Sequence, residues 1–145
     1  MQKFHFRLDS VLRLRSLRLT TERDKLGQLL AQATRLEQAI VALAAERAAA
    51  IAFVQNETAG SLELRSLAAY LLGYEARVIQ LNGSLETVRR RVVEQRQCVI
   101  AADRDERLLL KLKAKQRAAW QVAADHELEV LAQESWNAVH FDRDP

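Results

Sequence analysis

The chain has 145 residues, a net charge of +3, one proline, four glycines and a single cysteine. Sheet-based domains need many turns, and turns need Gly, Pro, Asn and Asp, so this composition excludes them and points to long elements. Cys98 alone excludes an internal disulfide framework and reads as a small core or flank residue.

The opening MQKFHFRLDSVLRLR sets apolar Phe4, Leu8, Val11 and Leu12 beside basic Arg7, Arg13 and Arg15. Arginines at 7, 13, 15 and 18 interrupt any signal-peptide core, and no apolar run approaches the roughly 18 to 20 residues that span a bilayer. The expectation is a cytoplasmic protein without membrane insertion.

Helix 1 is expected over about 9–56, starting at Asp9 or Ser10, both good N-caps. Leu12, Leu19, Leu26, Ala33, Ile40, Arg47 and Val54 form one set of positions along it. Leu8, Arg15, Glu22, Leu29, Leu36, Leu43 and Ala50 form the other. Alternating steps of four and three residues make the seam of a coiled coil.

The stretch NETAGSLE predicts a turn at about 57–61. Gly60 is suited to the left-handed conformation that ends a helix, and Ser61 to capping the next one. Helix 2 is expected over about 61–139. Its seam runs through Leu67, Leu71, Tyr74, Val78, Leu81, Leu85, Val88, Val92, Gln95, Val99, Ala102, Glu106, Leu109 and Lys113. Asn82-Gly83 does not reset the phase, since Leu81 and Leu85 stay in step across it. An acidic, disordered tail is expected over about 140–145.

One turn between two long heptad helices predicts an all-α fold, an antiparallel two-helix coiled-coil hairpin with unequal arms, in a single domain over 1–145. Seam charges choose the register. Pairing Ile40 with Leu81 and Leu12 with Leu109 places Arg15 opposite Glu106 and Arg47 over Tyr74. Sliding by a heptad either faces Arg15 with Lys113 or leaves it against Val99, and unpaired or like charges at a seam are unfavourable. Beyond Lys113 about 26 residues, some 39 Å of helix, have no partner in this scheme; their stripe is Trp120, Ala124, Leu128 and Leu131.

No catalytic constellation is present. His5, His126 and His140 are dispersed, and there is no Gly-rich phosphate loop and no CxxC. The expectation is a non-enzyme with no cofactor and no metal. Residues 104–117 carry six basic and two acidic groups, whereas 125–145 carry six acidic and one basic. The run KLKAKQR and the triplet Arg89 to Arg91 allow three readings: a solvated coiled-coil flank, a contact for an acidic protein partner, or a nucleic-acid or lipid patch. The modest net charge argues against nucleic acid. Tyr70 and Tyr74 lie four apart near the turn, Tyr74 on the seam and Tyr70 off it.

The opening FHFRLDSVLRLR, the expected long hairpin and the basic KLKAKQRAAW followed by an acidic end together resemble, over the whole chain, the FliJ family of flagellar type III export proteins. Members often open with an aromatic-x-Phe-Arg-Leu-x-x-Val-Leu-x-Leu-Arg stretch. Here Phe4, Phe6, Arg7, Leu8, Val11, Leu12, Leu14 and Arg15 match it. They also carry a basic run leading to an aromatic residue in the second helix, here Lys111, Lys113, Lys115, Arg117 and Trp120. The ending QESWNAVHFDRDP departs from the Asp-Glu-x-Ala-like helix of many members.

The resemblance implies a stalk like the γ subunit of rotary ATP synthases. Such a stalk docks on the hexameric export ATPase, promotes its assembly and activity, and links it to the membrane export gate and to export chaperones. It would sit in the cytoplasm, peripherally at the inner membrane. Phe4, Phe6, Arg7, Arg13, Lys111, Lys113, Lys115, Arg117 and Trp120 are then the expected ATPase contact. Tyr70 and Tyr74 are the expected gate contact, with Arg15, Glu106, Arg47 and Tyr74 setting register. The alternatives are the equivalent stalk of a virulence-type injectisome and, from another class, a basic coiled coil that binds nucleic acid or a membrane surface.

Overall fold

A computed structural model describes residues 3–56 and 60–141. Among these residues the protein is all-helical. Two helices, α1 (Asp9–Asn56) and α2 (Ser61–Phe141), pack against each other, and there is no strand. Of the expected turn, 57–59 lie outside the described residues, as do 142–145 of the expected tail. His140 and Phe141 belong to α2 rather than to a disordered tail. The His140 ring stacks on Trp136 at 4.1 Å, and its Nδ1 lies 3.0 Å from the Trp136 carbonyl, contacts that the i,i+4 spacing of a helix provides.

The start of α2 differs from the expected capping. No described residue has a positive φ, so Gly60 does not take the left-handed conformation. Its carbonyl accepts the Leu64 N–H at 3.3 Å, which puts Gly60 itself at the N-cap and Ser61 inside the first turn. The absence of a side chain at Gly60 leaves room for Glu63, whose Oε2 would stand 2.8 Å from a Cβ built there. Glu63 also brings negative charge to the positive end of the helix dipole.

Contacts divide the chain into two compact units. One is Thr20–Ile100; the other joins the residues up to Leu19 with those from Ala101 onward. In the first, Leu43, Leu85, Val88 and Val92 are buried, and the remaining seam residues from Leu26 to Ile40 and from Tyr74 to Leu81 are half-buried. Off the seam, Val41 and Ile79 stay in solvent. Polar seam groups find one another. Gln95 Nε2 donates to the Glu22 carbonyl at 3.1 Å and to the Glu22 carboxylate. Arg47 lies 5.3 Å from the centre of the Tyr74 ring. Arg89 bridges to Glu37 at 3.1 Å on the exposed rim.

In the second unit Leu12, Leu19 and Ala102 are buried and Leu109 is half-buried. Arg15 does not reach Glu106. Its guanidinium pairs with Asp105 at 3.2 Å, while Glu106 accepts the Ser16 hydroxyl at 2.6 Å. The long arginine stem lets the charge leave the seam line for a carboxylate on the flank, and the short serine meets the carboxylate nearer the seam.

Helix α2 runs without a break through Asn82-Gly83, where the Thr87 hydroxyl donates to the Gly83 carbonyl at 3.0 Å. A Cβ at Gly83 would meet open space. Gly83→Ala should therefore raise stability by about 1 kcal/mol, the helix-propensity difference, in denaturant unfolding followed by circular dichroism. An unchanged or lowered midpoint would show that the glycine is needed in the helix.

Candidate interaction surface

Residues 3–8 precede α1 and are not helical. They enter the helix through two backbone hydrogen bonds: the Asp9 N–H to the Phe6 carbonyl at 3.1 Å and the Leu12 N–H to the Leu8 carbonyl at 2.8 Å. This entry turns two aromatic side chains onto α2. Phe6 is buried. Phe4 sits 6.0 Å from Trp120, ring centre to ring centre and tilted by 52°, a favourable arrangement for two aromatic quadrupoles. Trp120 is half-buried, and Ala124, one turn further, is 7% exposed. Trp120 is therefore not part of an unpartnered stripe. The chain supplies its partner from the residues ahead of α1.

Lys113 fixes this arrangement. Its ammonium lies 2.7 Å from Asp9 Oδ1 and 5.7 Å from the centre of the Phe6 ring. Asp9 also takes Arg13 at 3.1 Å. The Lys113 hydrogen bond holds the Asp9 carboxyl below the usual carboxylate range, and the Lys113 and Arg13 charges add to it against partial desolvation. Asp9 in the first turn also complements the helix dipole. Its carboxylate thus joins the two helices instead of serving as the expected N-cap.

The expected ATPase-contact residues fall into two groups. Phe4, Phe6, Lys113 and Trp120 are engaged inside the protein, and Arg13 is exposed but paired with Asp9. Arg7, Lys111, Lys115 and Arg117 are exposed, and none has an ion pair among the described residues. They form the outward-facing charge. Elsewhere the basic runs are partly neutralised: Arg89 pairs with Glu37, Arg90 with Glu86 and Arg107 with Asp103.

Close to the start of α2 there is an open apolar cleft lined by Ala50, Phe53, Val54, Leu62, Leu67 and Tyr70. The Tyr70 hydroxyl is buried and has no hydrogen-bond partner among the described residues. Tyr74 is held by Arg47. The heptad reading placed Tyr70 off the seam and missed the cleft. Phe53 and Leu62 lie near the end of α1 and the start of α2, where no repeat continues to mark them. Cys98 is exposed and so lies on the flank.

Among the described residues no group of three or more His, Cys, Asp or Glu side chains is placed to hold a metal ion. Among the same residues no helix is long and apolar enough to cross a membrane. Comparison with protein-family models, with curated proteins and with solved structures returns no match.

Phe6 anchors the non-helical segment, so Phe6→Ala should destabilise the protein by about 3 kcal/mol, near the lower end for a buried aromatic. The same variant should red-shift Trp120 emission in a Trp136→Phe background. A stability change within about 0.5 kcal/mol would mean that the segment is not anchored there.

The Asp9 link gives a pH dependence. A lowered folded-state pKa means that its contribution is fully present above the unfolded value of about 4 and is lost as pH falls through the lowered value. Acid titration of Trp120 emission should show Phe4–Trp120 packing loosening in that window, and Asp9→Asn should remove this acid step. A step of equal size in Asp9→Asn would assign it to other carboxylates.

Proposed function

We propose that the protein is a flagellar type III export component. It docks on the export ATPase ring as a γ-like stalk, promotes ring assembly and activity, and links the ring to the export gate and chaperones. One observation carries the reading beyond the sequence resemblance. The two motifs that bear the resemblance meet in space: Phe4 on Trp120, and Phe6 beside Lys113. Two segments far apart in sequence form one structural element, as expected if they serve one purpose.

The finer architecture that goes with this reading is an antiparallel coiled-coil hairpin with unequal arms, supported by seam pairs such as Arg15–Asp105 and Arg47–Tyr74. In this proposal Arg7, Lys111, Lys115 and Arg117 meet acidic groups on the ATPase. Phe4, Phe6, Lys113 and Trp120 hold the platform that presents them. Tyr70 and the cleft beside it face the export gate. The protein has no catalytic role of its own and works in the cytoplasm at the inner membrane. An injectisome stalk would share this fold and mechanism, and the identity of the ATPase that responds separates the two.

The test is ATP hydrolysis by a flagellar export ATPase titrated with this protein, alongside sizing for hexamers. Stimulation and ring formation are expected, and Lys111→Glu with Lys115→Glu should weaken both by about tenfold, since two charge contacts at a partly desolvated interface are worth about 1.4 kcal/mol or more. No change in rate or assembly would overturn the reading. Steep salt-dependent binding to DNA or RNA, or sedimentation with anionic vesicles without a partner, would support the nucleic-acid or membrane-surface class instead.

A further inference from the structure

Beyond Ala124, α2 carries apolar side chains that nothing among the described residues covers, Leu128 and Leu131 foremost. Ala124, Leu128, Leu131, Ser135 and Ala138 recur at alternating steps of four and three, the spacing of a coiled-coil seam. Ala124 is buried, but Leu128 is 49% and Leu131 61% exposed. The face is therefore a continuation of the one that Trp120 and Ala124 present to the segment ahead of α1, extended past the reach of Phe4.

Its flanks carry one sign of charge. The positions bordering this seam include Asp125, Glu127 and Glu134, with Glu129 one position further out. Neither Lys nor Arg occurs between 118 and 142. None of the four carboxylates has an ion pair among the described residues. In coiled coils the flanking positions choose the partner. A second copy aligned on this stretch brings the same carboxylates and no cation, so it adds repulsion without an attractive pair. A helix with an apolar face and Lys or Arg on its flanks meets every carboxylate with an opposite charge.

We propose that this segment of α2 is a docking face for a basic-flanked amphipathic helix of another protein, which completes a local coiled coil over Leu128 and Leu131. The inference does not rest on the export reading, because it depends only on this face and its charges.

The test uses the full chain and two synthetic helical peptides with identical leucine and isoleucine seams, one with Lys and one with Glu at the flanking positions. Calorimetry should show the Lys peptide binding at least about tenfold tighter, the sum of several flank pairs, with the difference shrinking as salt rises. Leu131→Asp should abolish binding without loss of helix content, since the residue is exposed. A triple reversal, Asp125→Lys with Glu127→Lys and Glu134→Lys, should invert the preference. Equal affinity for both peptides, or no binding of either, would overturn the proposal. So would concentration-dependent self-association that Leu131→Asp removes, which would give the face to a second copy.

Discussion

Two helices packed against each other share one face, and an apolar side chain away from that face needs another cover or lies in water. That constraint governs the rest of this protein. Among the described residues no side chain is wholly enclosed. The best-covered residues, such as Leu19, Val88 and Ala102, are spread along the seam. Stability is then distributed over many half-buried contacts, each contributing a fraction of what a fully buried leucine does. A polar group on such a seam keeps part of its hydration and needs only one good partner. Glu22 with Gln95, Arg15 with Asp105 and Lys113 with Asp9 show this. A misaligned pairing would strand these groups against aliphatic neighbours, so they choose the alignment at little cost in stability.

The segment ahead of α1 follows from the same constraint. Where α1 begins, the seam face of α2 continues with Lys113, Trp120 and Ala124, and without cover it would be wet. Residues 3–8 cannot cover it as a helix continuing α1, because a helix would carry Phe4 and Phe6 to different faces. As a non-helical segment they bring both rings to α2. Lys113 then satisfies three demands with one ammonium: its stem fills a seam position, its charge pairs with Asp9, and it lies against the ring of Phe6. Opening this segment would free a lysine, a carboxylate and two aromatic rings together, which makes the element an all-or-none one.

Most of the helical architecture was legible in the sequence, because a repeat of four and three residues is a direct record of which face is covered. The seam positions named from the heptads are buried or half-buried except Leu8 and Arg47, which are exposed, and Asn82-Gly83 stays helical because the apolar phase does not change across it. What periodicity cannot encode is where a non-repeating segment goes. The resemblance makes Phe4 and Phe6 expected ATPase-contact residues, and nothing in their spacing ties them to Trp120. Gly60 read as a left-handed cap from residue type alone, whereas Glu63, three residues on, makes the missing side chain useful at the N-cap. Arg15 reaches Asp105 rather than Glu106 because a long side chain can choose among neighbouring carboxylates, a choice made in three dimensions.

The charge asymmetry along α2 acquires a physical meaning from this geometry. The basic run at 111–117 lies where the seam is closed by Phe6 and Phe4. Its exposed cations therefore stand on a rigid platform, suited to steering toward an acidic surface. The acidic stretch lies where the seam is open, so its carboxylates border apolar area that is still available. A charged flank on a closed seam has only electrostatics to offer, and its contacts weaken with salt. A charged flank on an open seam selects which helix can bury that area, and burial then supplies affinity that salt does not screen. Two stretches of one helix, alike in composition apart from the sign of their charge, are thus fitted to different kinds of contact by whether the residues ahead of α1 reach them.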